Sequence, residues 1–197
     1  MSEGTLDRRA VAAALVRTAN TAPGGPMLVV CGLGSATYDI GAAGDRPENF
    51  YLWGAMGGAA MIGLGLALAQ PTRRVLVVTG DGEALMGMGA LATIAAMQPA
   101  NLSVVILDNG QFGETGHQRS HTGLGTDLAA VAAGCGWRKT AKIDDMAGVA
   151  ALAPWLHAEA LLAVIRISPA EVPRFLQIRD GALLTRRMRD ALGVPAD

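Results

Sequence analysis

The chain has little cysteine, almost no net charge and no long apolar run, and each shortage removes a class of function. Cys31 and Cys135 are the only cysteines in 197 residues. Two are too few for a disulfide scaffold or a four-cysteine cluster and fit a reducing cytosol, so each is expected to be a small hydrophobe in the interior. A formal net charge of -1 provides no basic field for nucleic acid and no acidic solvating tail. No run reaches the roughly 20 apolar residues of a membrane helix. The longest, residues 54–69, is too short and too rich in glycine, and reads as a helix packed closely on a sheet. Residues 1–9 lack the apolar core of a signal segment. The expectation is a cytoplasmic protein without nucleic-acid or membrane partners.

What is present points to one domain over residues 1–197, with 51% hydrophobic and 17% charged residues. Apolar positions at helical spacing mark an amphipathic opening helix over 6–19. Short buried strands are expected at 27–31, 75–79, 102–107 and 161–167, with an edge strand at 138–143. Helices are expected at 54–69, 83–97, 127–133 and 144–157. This alternation is that of an α/β doubly wound, mostly parallel sheet with helices on both faces. The core spans about 25–168. A helical extension over 169–197 mixes apolar residues with Arg174, Arg179, Arg186, Arg187 and Arg189, as either a solvated surface helix or a contact with another subunit.

Two strand ends carry the polar residues of interest. The run Val75–Thr79 leads to Gly80-Asp81-Gly82, and Leu102–Leu107 leads to Asp108-Asn109-Gly110. In an open parallel sheet, ligands bind outside the carboxyl ends of the strands. Alone, Asp81 reads as a helix N-cap and Asn109-Gly110 as a turn. Together, a carboxylate and a carboxamide on neighbouring strand ends can converge on one hard cation. Magnesium suits such a site, with phosphate oxygens completing its octahedron, and a helix N-terminus there favours the same anion. Gly32-x-Gly34 admits a dinucleotide reading, but Thr37 stands where the third glycine belongs and no acidic residue ends a second strand about 20 positions on. The long loop 109–126, with five glycines, is the kind that is functional or mobile.

Gly80-Asp-Gly followed by Asp108-Asn-Gly-Gln-Phe-Gly resembles the cofactor motif of thiamine-diphosphate enzymes. Upstream, Trp53-Gly-Ala-Met-Gly is similar to the segment beneath the cofactor in that family. The resemblance implies that Asp81, Asn109 and the carbonyl of Gln111 hold magnesium. It also implies that Gly54 offers its carbonyl to the aminopyrimidine and that Met56 wedges thiamine diphosphate into a bent form. Gly34, Ser35, Gly80, Gly82, Glu83 and Phe112 complete the expected cofactor-binding set. Asp108 departs from the family's usual Asn.

The pyrimidine-binding domain of the family has no room in this chain. The chain therefore resembles the β subunit of two-subunit 2-oxoacid decarboxylases of the sulfopyruvate and phosphonopyruvate type, to which Thr115-Gly-His-Gln and Leu91-Ala-Thr-Ile-Ala are also similar. The implied partner is a separate α subunit that carries the catalytic glutamate, and the implied reaction turns a small 2-oxo acid into an aldehyde and carbon dioxide. His117, His121 and Glu114 are the acid–base candidates, and Arg119 with His117 the candidates for an acidic substrate group. His117, Arg119 and His121 also read as residues of a surface loop or as contacts to the α subunit. Two other outcomes share the cofactor: a subunit of an acetolactate-synthase-like carboligase or 2-oxoacid oxidoreductase, the latter weakened by the lack of iron–sulfur spacing. A non-catalytic cofactor-binding module is the third alternative.

Overall fold

The computed structural model describes residues 5–194. The chain runs α1 (Arg8–Asn20), β1 (Leu28–Cys31), α2 (Ser35–Ala43), β2 (Asn49–Tyr51), α3 (Ala59–Ala69), β3 (Val75–Gly80), α4 (Asp81–Met86), α5 (Gly89–Met97) and β4 (Leu102–Asp108). A small hairpin follows, β5 (Gln111–Phe112) and β6 (Gln118–Arg119), then α6 (Leu128–Cys135), β7 (Thr140–Ile143), α7 (Met146–Ala158), β8 (Leu162–Arg166) and α8 (Gly181–Ala191). Aspartates start four of the helices: Asp7, Asp127, Asp145 and Asp180 each accept a backbone N–H of the first turn.

Six strands form one parallel sheet in the order β2-β1-β3-β4-β8-β7. Because side chains alternate across a strand, each strand feeds two cores. Val29, Cys31, Leu76, Val78, Val105 and Ile165 meet α1, α2 and α7 on one face. Leu28, Val30, Val77, Val104, Ile106 and Val164 meet α3, α5 and α6 on the other. Cys31 is fully buried, as expected, and burial pushes its thiol up. The crossover from β1 to β2 uses the first face and that from β2 to β3 the second. The strand order therefore reverses between β1 and β3, where a crevice opens at the carboxyl ends.

Three departures from the sequence expectations fall in the sheet and its helices. Asn49–Tyr51, which apolar periodicity alone left unassigned, is an edge strand of the sheet. The helix expected from residue 54 starts at Ala59, because Gly54 and Gly57 take positive φ (72° and 87°) in a loop. Its expected close packing holds, with Gly63 set against Val77 where no Cβ would fit. The single helix expected over 83–97 is two, broken at Gly87 and Met88. There the Gly57 backbone crosses so closely that a Cβ on Gly87 would lie 2.9 Å from Gly57 Cα.

The C-terminal extension is not helical from residue 169 but runs as an irregular strap to Asp180, with α8 following. The strap is held across α2: Gln177 donates to the Thr37 carbonyl, and Trp53 Nε1 donates to the Ile178 carbonyl at 2.9 Å. Helix α8 closes the β2 edge with Leu184 and Met188 buried. One of its arginines is not solvated in the expected manner: Arg187 forks onto Asp45 at 2.7 and 3.0 Å and reaches the Asn49 carbonyl. The part of the extension over 195–197 lies outside the described residues.

Candidate functional site

Parallel pairing sets the site. Gly80 is in register with Leu107, so Asp81 and Asp108–Asn109 emerge side by side from β3 and β4. Asp81 is the first residue of α4 rather than its N-cap, and its carboxylate is buried. Its Oδ2 accepts from Ser120 Oγ at 2.5 Å and from Thr122 Oγ1 at 2.9 Å. Burial holds its carboxyl above the usual carboxylate range, and the nearby Asp108 charge adds to that against the hydroxyl hydrogen bonds. Thr122 Oγ1 also contacts Asp108 Oδ1 at 2.7 Å. Asp108 is balanced from the other side by Arg166, with N–O 3.1 Å. The acidic residue in place of the family's usual Asn is thus neutralised within the sheet.

Asn109 is half-buried, and its Oδ1 accepts the Gln111 N–H at 2.9 Å in a tight turn. The sequence reading of a turn holds, and it fixes the carboxamide beside Asp81. Phe112 lies over Gly82, where a Cβ would fall 2.8 Å from the ring. Met56 Sδ–methyl reaches the same spot from the loop before α3, within 3.9 Å of that position.

Glu83 is buried, and both of its carboxylate oxygens are hydrogen-bonded within the protein. Oε2 accepts from the Leu33 N–H at 2.8 Å and from Thr79 Oγ1 at 3.0 Å, and Oε1 from the Ala59 N–H at 3.3 Å. It ties the turn after β1 to the start of α3, and burial outweighs these donors in raising its carboxyl. Gly32 is required there because a Cβ would collide with this carboxylate.

Gly34, Ser35, Met56, Gly80, Asp81, Gly82, Glu83, Asn109, Gln111 and Phe112 line one cavity of about 90 Å³ at the β1–β3 crevice. Gly54 is exposed and does not line it. Of the acid–base and substrate candidates, Glu114 lines this cavity and a contiguous one of about 250 Å³, which His117 also lines. His117 pairs with Glu171 at 2.8 Å, and Glu114 with Arg174 at 3.2 Å. His121 is exposed with its ring edge-on to Phe112, 6.5 Å between centroids. Arg119 lines neither cavity and donates to the Gly123 carbonyl. A roomier opening, about 510 Å³ around Trp137 and Lys139, lies at the amino ends of the strands, remote from all of these.

The donor set expected from the sequence, one carboxylate, one carboxamide and one carbonyl, consists of hard oxygens. Among the described residues no three His, Cys, Asp or Glu side chains gather into a cage. The arrangement fits a magnesium ion that takes its remaining ligands from water and a diphosphate, and no soft metal. The partners Ser120, Thr122 and Arg166 were not foreseen from sequence. The glycine-rich loop that carries the two hydroxyls reads from its sequence as functional or mobile, but no spacing ties them to Asp81.

Comparison with known proteins agrees with this geometry. Residues 43–166 match the model of the family described as thiamine pyrophosphate enzyme, C-terminal TPP binding domain. The chain is 45% identical over 109 residues to a sulfopyruvate decarboxylase subunit beta of Methanocaldococcus jannaschii, covering 55% of this chain and 57% of that one. It is 48% identical over 121 residues to a phosphonopyruvate decarboxylase of Streptomyces hygroscopicus, covering 60% of this chain and 30% of that one. The chain thus spans little more than half of the first relative and under a third of the second. Benzoylformate decarboxylase of Polynucleobacter necessarius shares the fold at TM-score 0.71 and 16% identity, over 84% of this chain and 34% of that one. With more than half of its length matched, the chain belongs to the thiamine pyrophosphate enzyme family, as its C-terminal TPP-binding domain.

Proposed function

We propose that this chain is the diphosphate- and magnesium-binding subunit of a two-subunit 2-oxoacid decarboxylase. The observation that carries the reading is that Asp81, Asn109, Gln111 and Met56 line one small cavity at the β1–β3 crevice. In this reading the pyrimidine-binding domain of a partner chain covers the crevice formed by this cavity and the contiguous one of about 250 Å³. The names of the relatives, sulfopyruvate decarboxylase subunit beta and phosphonopyruvate decarboxylase, support the same direction.

In this reading Asp81, Asn109 and the Gln111 carbonyl hold magnesium, and Gly80, Gly82, Gly34 and Ser35 leave room for the diphosphate. Glu83 contributes by fixing the turn at Leu33 against α3. Phe112 and Met56 give the cavity its apolar side, and Gly54 offers its carbonyl to the aminopyrimidine. When bound, thiamine diphosphate supplies an electron sink for the carbanion left by departing carbon dioxide. Glu114 and His117, at the mouth of the cavity, are the groups of this chain that can hold or move a proton there. The partner α subunit supplies the pyrimidine-binding domain and its glutamate. The substrate is a 2-oxo acid with a second acid group, and the product an aldehyde. A cytoplasmic setting belongs to the same reading, supported by two cysteines that are both free.

The test is calorimetric titration of thiamine diphosphate with magnesium into this chain, alone and co-produced with a candidate α chain, followed by carbon dioxide release from a panel of 2-oxo acids. Binding and decarboxylation are expected in the mixture. Absence of cofactor binding in every mixture overturns the proposal.

A further inference from the structure

The second cavity, about 250 Å³, adjoins the cofactor cavity and shares Ser35, Asn109 and Glu114 with it. Its far wall is basic. Arg8, at the start of α1, lines it with a side chain only 10% exposed. The contact of its guanidinium with the protein runs through Nε, 2.6 Å from Asp39 Oδ2. Asp39 is itself fully buried and shared with Arg9, whose Nε stands 2.8 Å from its other oxygen. Two guanidinium groups on one carboxylate leave a surplus positive charge at the cavity wall. Asp7 does not offset it from within, being exposed and spent on capping α1. Among the described residues the terminal nitrogens of Arg8 meet no protein acceptor, which leaves them as a donor fork facing the cavity.

Opposite Arg8, the strap brings Arg174 to the same cavity, where it rests on Glu114 at 3.2 Å with its side chain 60% exposed. Such an exposed pair contributes little and is readily exchanged for a better anion. The remaining charged neighbours, His117 and Glu171, are paired with each other. Tyr38, buried beside Arg8, gives the cavity one apolar side.

We propose that this cavity is the subsite for the second acid group of the substrate, held between Arg8 and the strap residue Arg174. The inference rests on the decarboxylase reading and assigns the residues of this chain that hold the substrate's second acid group. Binding moves Arg174 from Glu114 to the substrate oxyanion, where a charge-assisted fork is stronger than the exposed pair it replaces. Glu114 is thereby freed at the junction of the two cavities. Arg119, the sequence-based candidate for this role, lies outside the cavity. Substrate selectivity therefore comes from the C-terminal strap rather than from the glycine-rich loop.

The experiment compares wild type, Arg174→Met and Arg174→Lys as the complex with the co-produced α chain, measuring kcat/KM for sulfopyruvate, phosphonopyruvate and pyruvate. Removing a hydrogen-bonded charge from an anion is expected to lower sulfopyruvate turnover relative to pyruvate by about 10- to 100-fold. The loss should lie mainly in KM. Lysine should restore part of it, since it keeps the charge without the fork. An unchanged selectivity ratio in Arg174→Met overturns the subsite while leaving the decarboxylase reading intact. If the wild-type complex turns over no 2-oxo acid, the decarboxylase reading falls, and a titration of the full chain with sulfoacetate, which carries both acid groups and no keto group, still decides the subsite. Saturable sulfoacetate binding that Arg174→Met weakens upholds it, and binding indifferent to the substitution overturns it. Arg8→Lys serves as the second variant, because Arg8→Met would strip a partner from buried Asp39.

Discussion

Thr122 Oγ1 stands 2.9 Å from Asp81 Oδ2 and 2.7 Å from Asp108 Oδ1, joining the carboxylates at the ends of two adjacent strands. Both hydroxyl contacts to Asp81, from Ser120 and Thr122, fall on the same oxygen. The pair therefore sets the rotation of the carboxylate without occupying Oδ1. Groups that orient a metal ligand in this manner are worth about 10- to 100-fold in metal affinity. Thr122→Val is expected to weaken magnesium-dependent cofactor binding by that order, and to lower stability by about 1–2 kcal/mol through the lost hydrogen bonds. Magnesium titration and thermal unfolding of the same sample separate the two. A variant that loses stability yet keeps its magnesium dependence would show Thr122 to be structural only.

Asp81→Ala removes the one carboxylate of the proposed metal set. Magnesium-dependent binding of thiamine diphosphate should become undetectable by calorimetry in the complex. Affinity equal to wild type would sink the metal assignment.

Met56→Ala tests a different part of the cleft. Met56 is partly exposed on the rim and touches the space above Gly82. Its loss should impair turnover more than cofactor affinity, as expected of a residue that shapes the bound conformation rather than gripping the phosphates. Equal turnover in both forms rules out a wedge role.

Gly87→Ala addresses how the loop over the cofactor site is positioned. A methyl group on Gly87 would press on the Gly57 backbone, which cannot swing aside as a side chain can. Overpacking of this kind costs about 1–3 kcal/mol. The expected outcome is a lower unfolding midpoint together with weaker cofactor binding, because residues 54–57 must shift. A midpoint within error of wild type would mean that the two loops separate freely.

Glu83→Gln keeps the shape of the side chain but exchanges one acceptor for a donor. With Leu33 N–H, Thr79 Oγ1 and Ala59 N–H all pointing at the carboxylate, one pairing becomes donor against donor. A loss of about 1–3 kcal/mol in unfolding free energy follows. Denaturant titration checks it, and an unchanged midpoint would contradict the clamp assigned to Glu83.

The strands, their burial and the parallel architecture were legible in the sequence because Val- and Ile-rich runs bounded by glycine and aspartate have few other stable uses. The strand ends Asp81 and Asn109 were legible for the same reason, since a strand ends where its apolar run does, and the motif linking them is local. Helix limits were less so: the break at Gly87 depends on the Gly57 backbone, 30 positions away in sequence, and a periodicity of apolar residues carries no trace of it. The strap after Ser168 is not legible in the sequence, because its mixed Leu and Arg pattern suits a helix. What holds it extended is the capture of its backbone and Gln177 by Trp53 and Thr37.

Local chemistry thus fixed the elements and the residues that face a ligand: periodicity, turn residues and a short motif are properties of neighbours along the chain. Only the tertiary structure decided which distant side chains serve them. Ser120 and Thr122 reach Asp81 across about 40 positions, Arg166 neutralises Asp108 across the β4–β8 pairing, and Arg8 and Arg174 meet at one cavity from opposite ends of the chain. Such pairings are set by sheet order and loop closure, which no pattern of adjacent residues encodes.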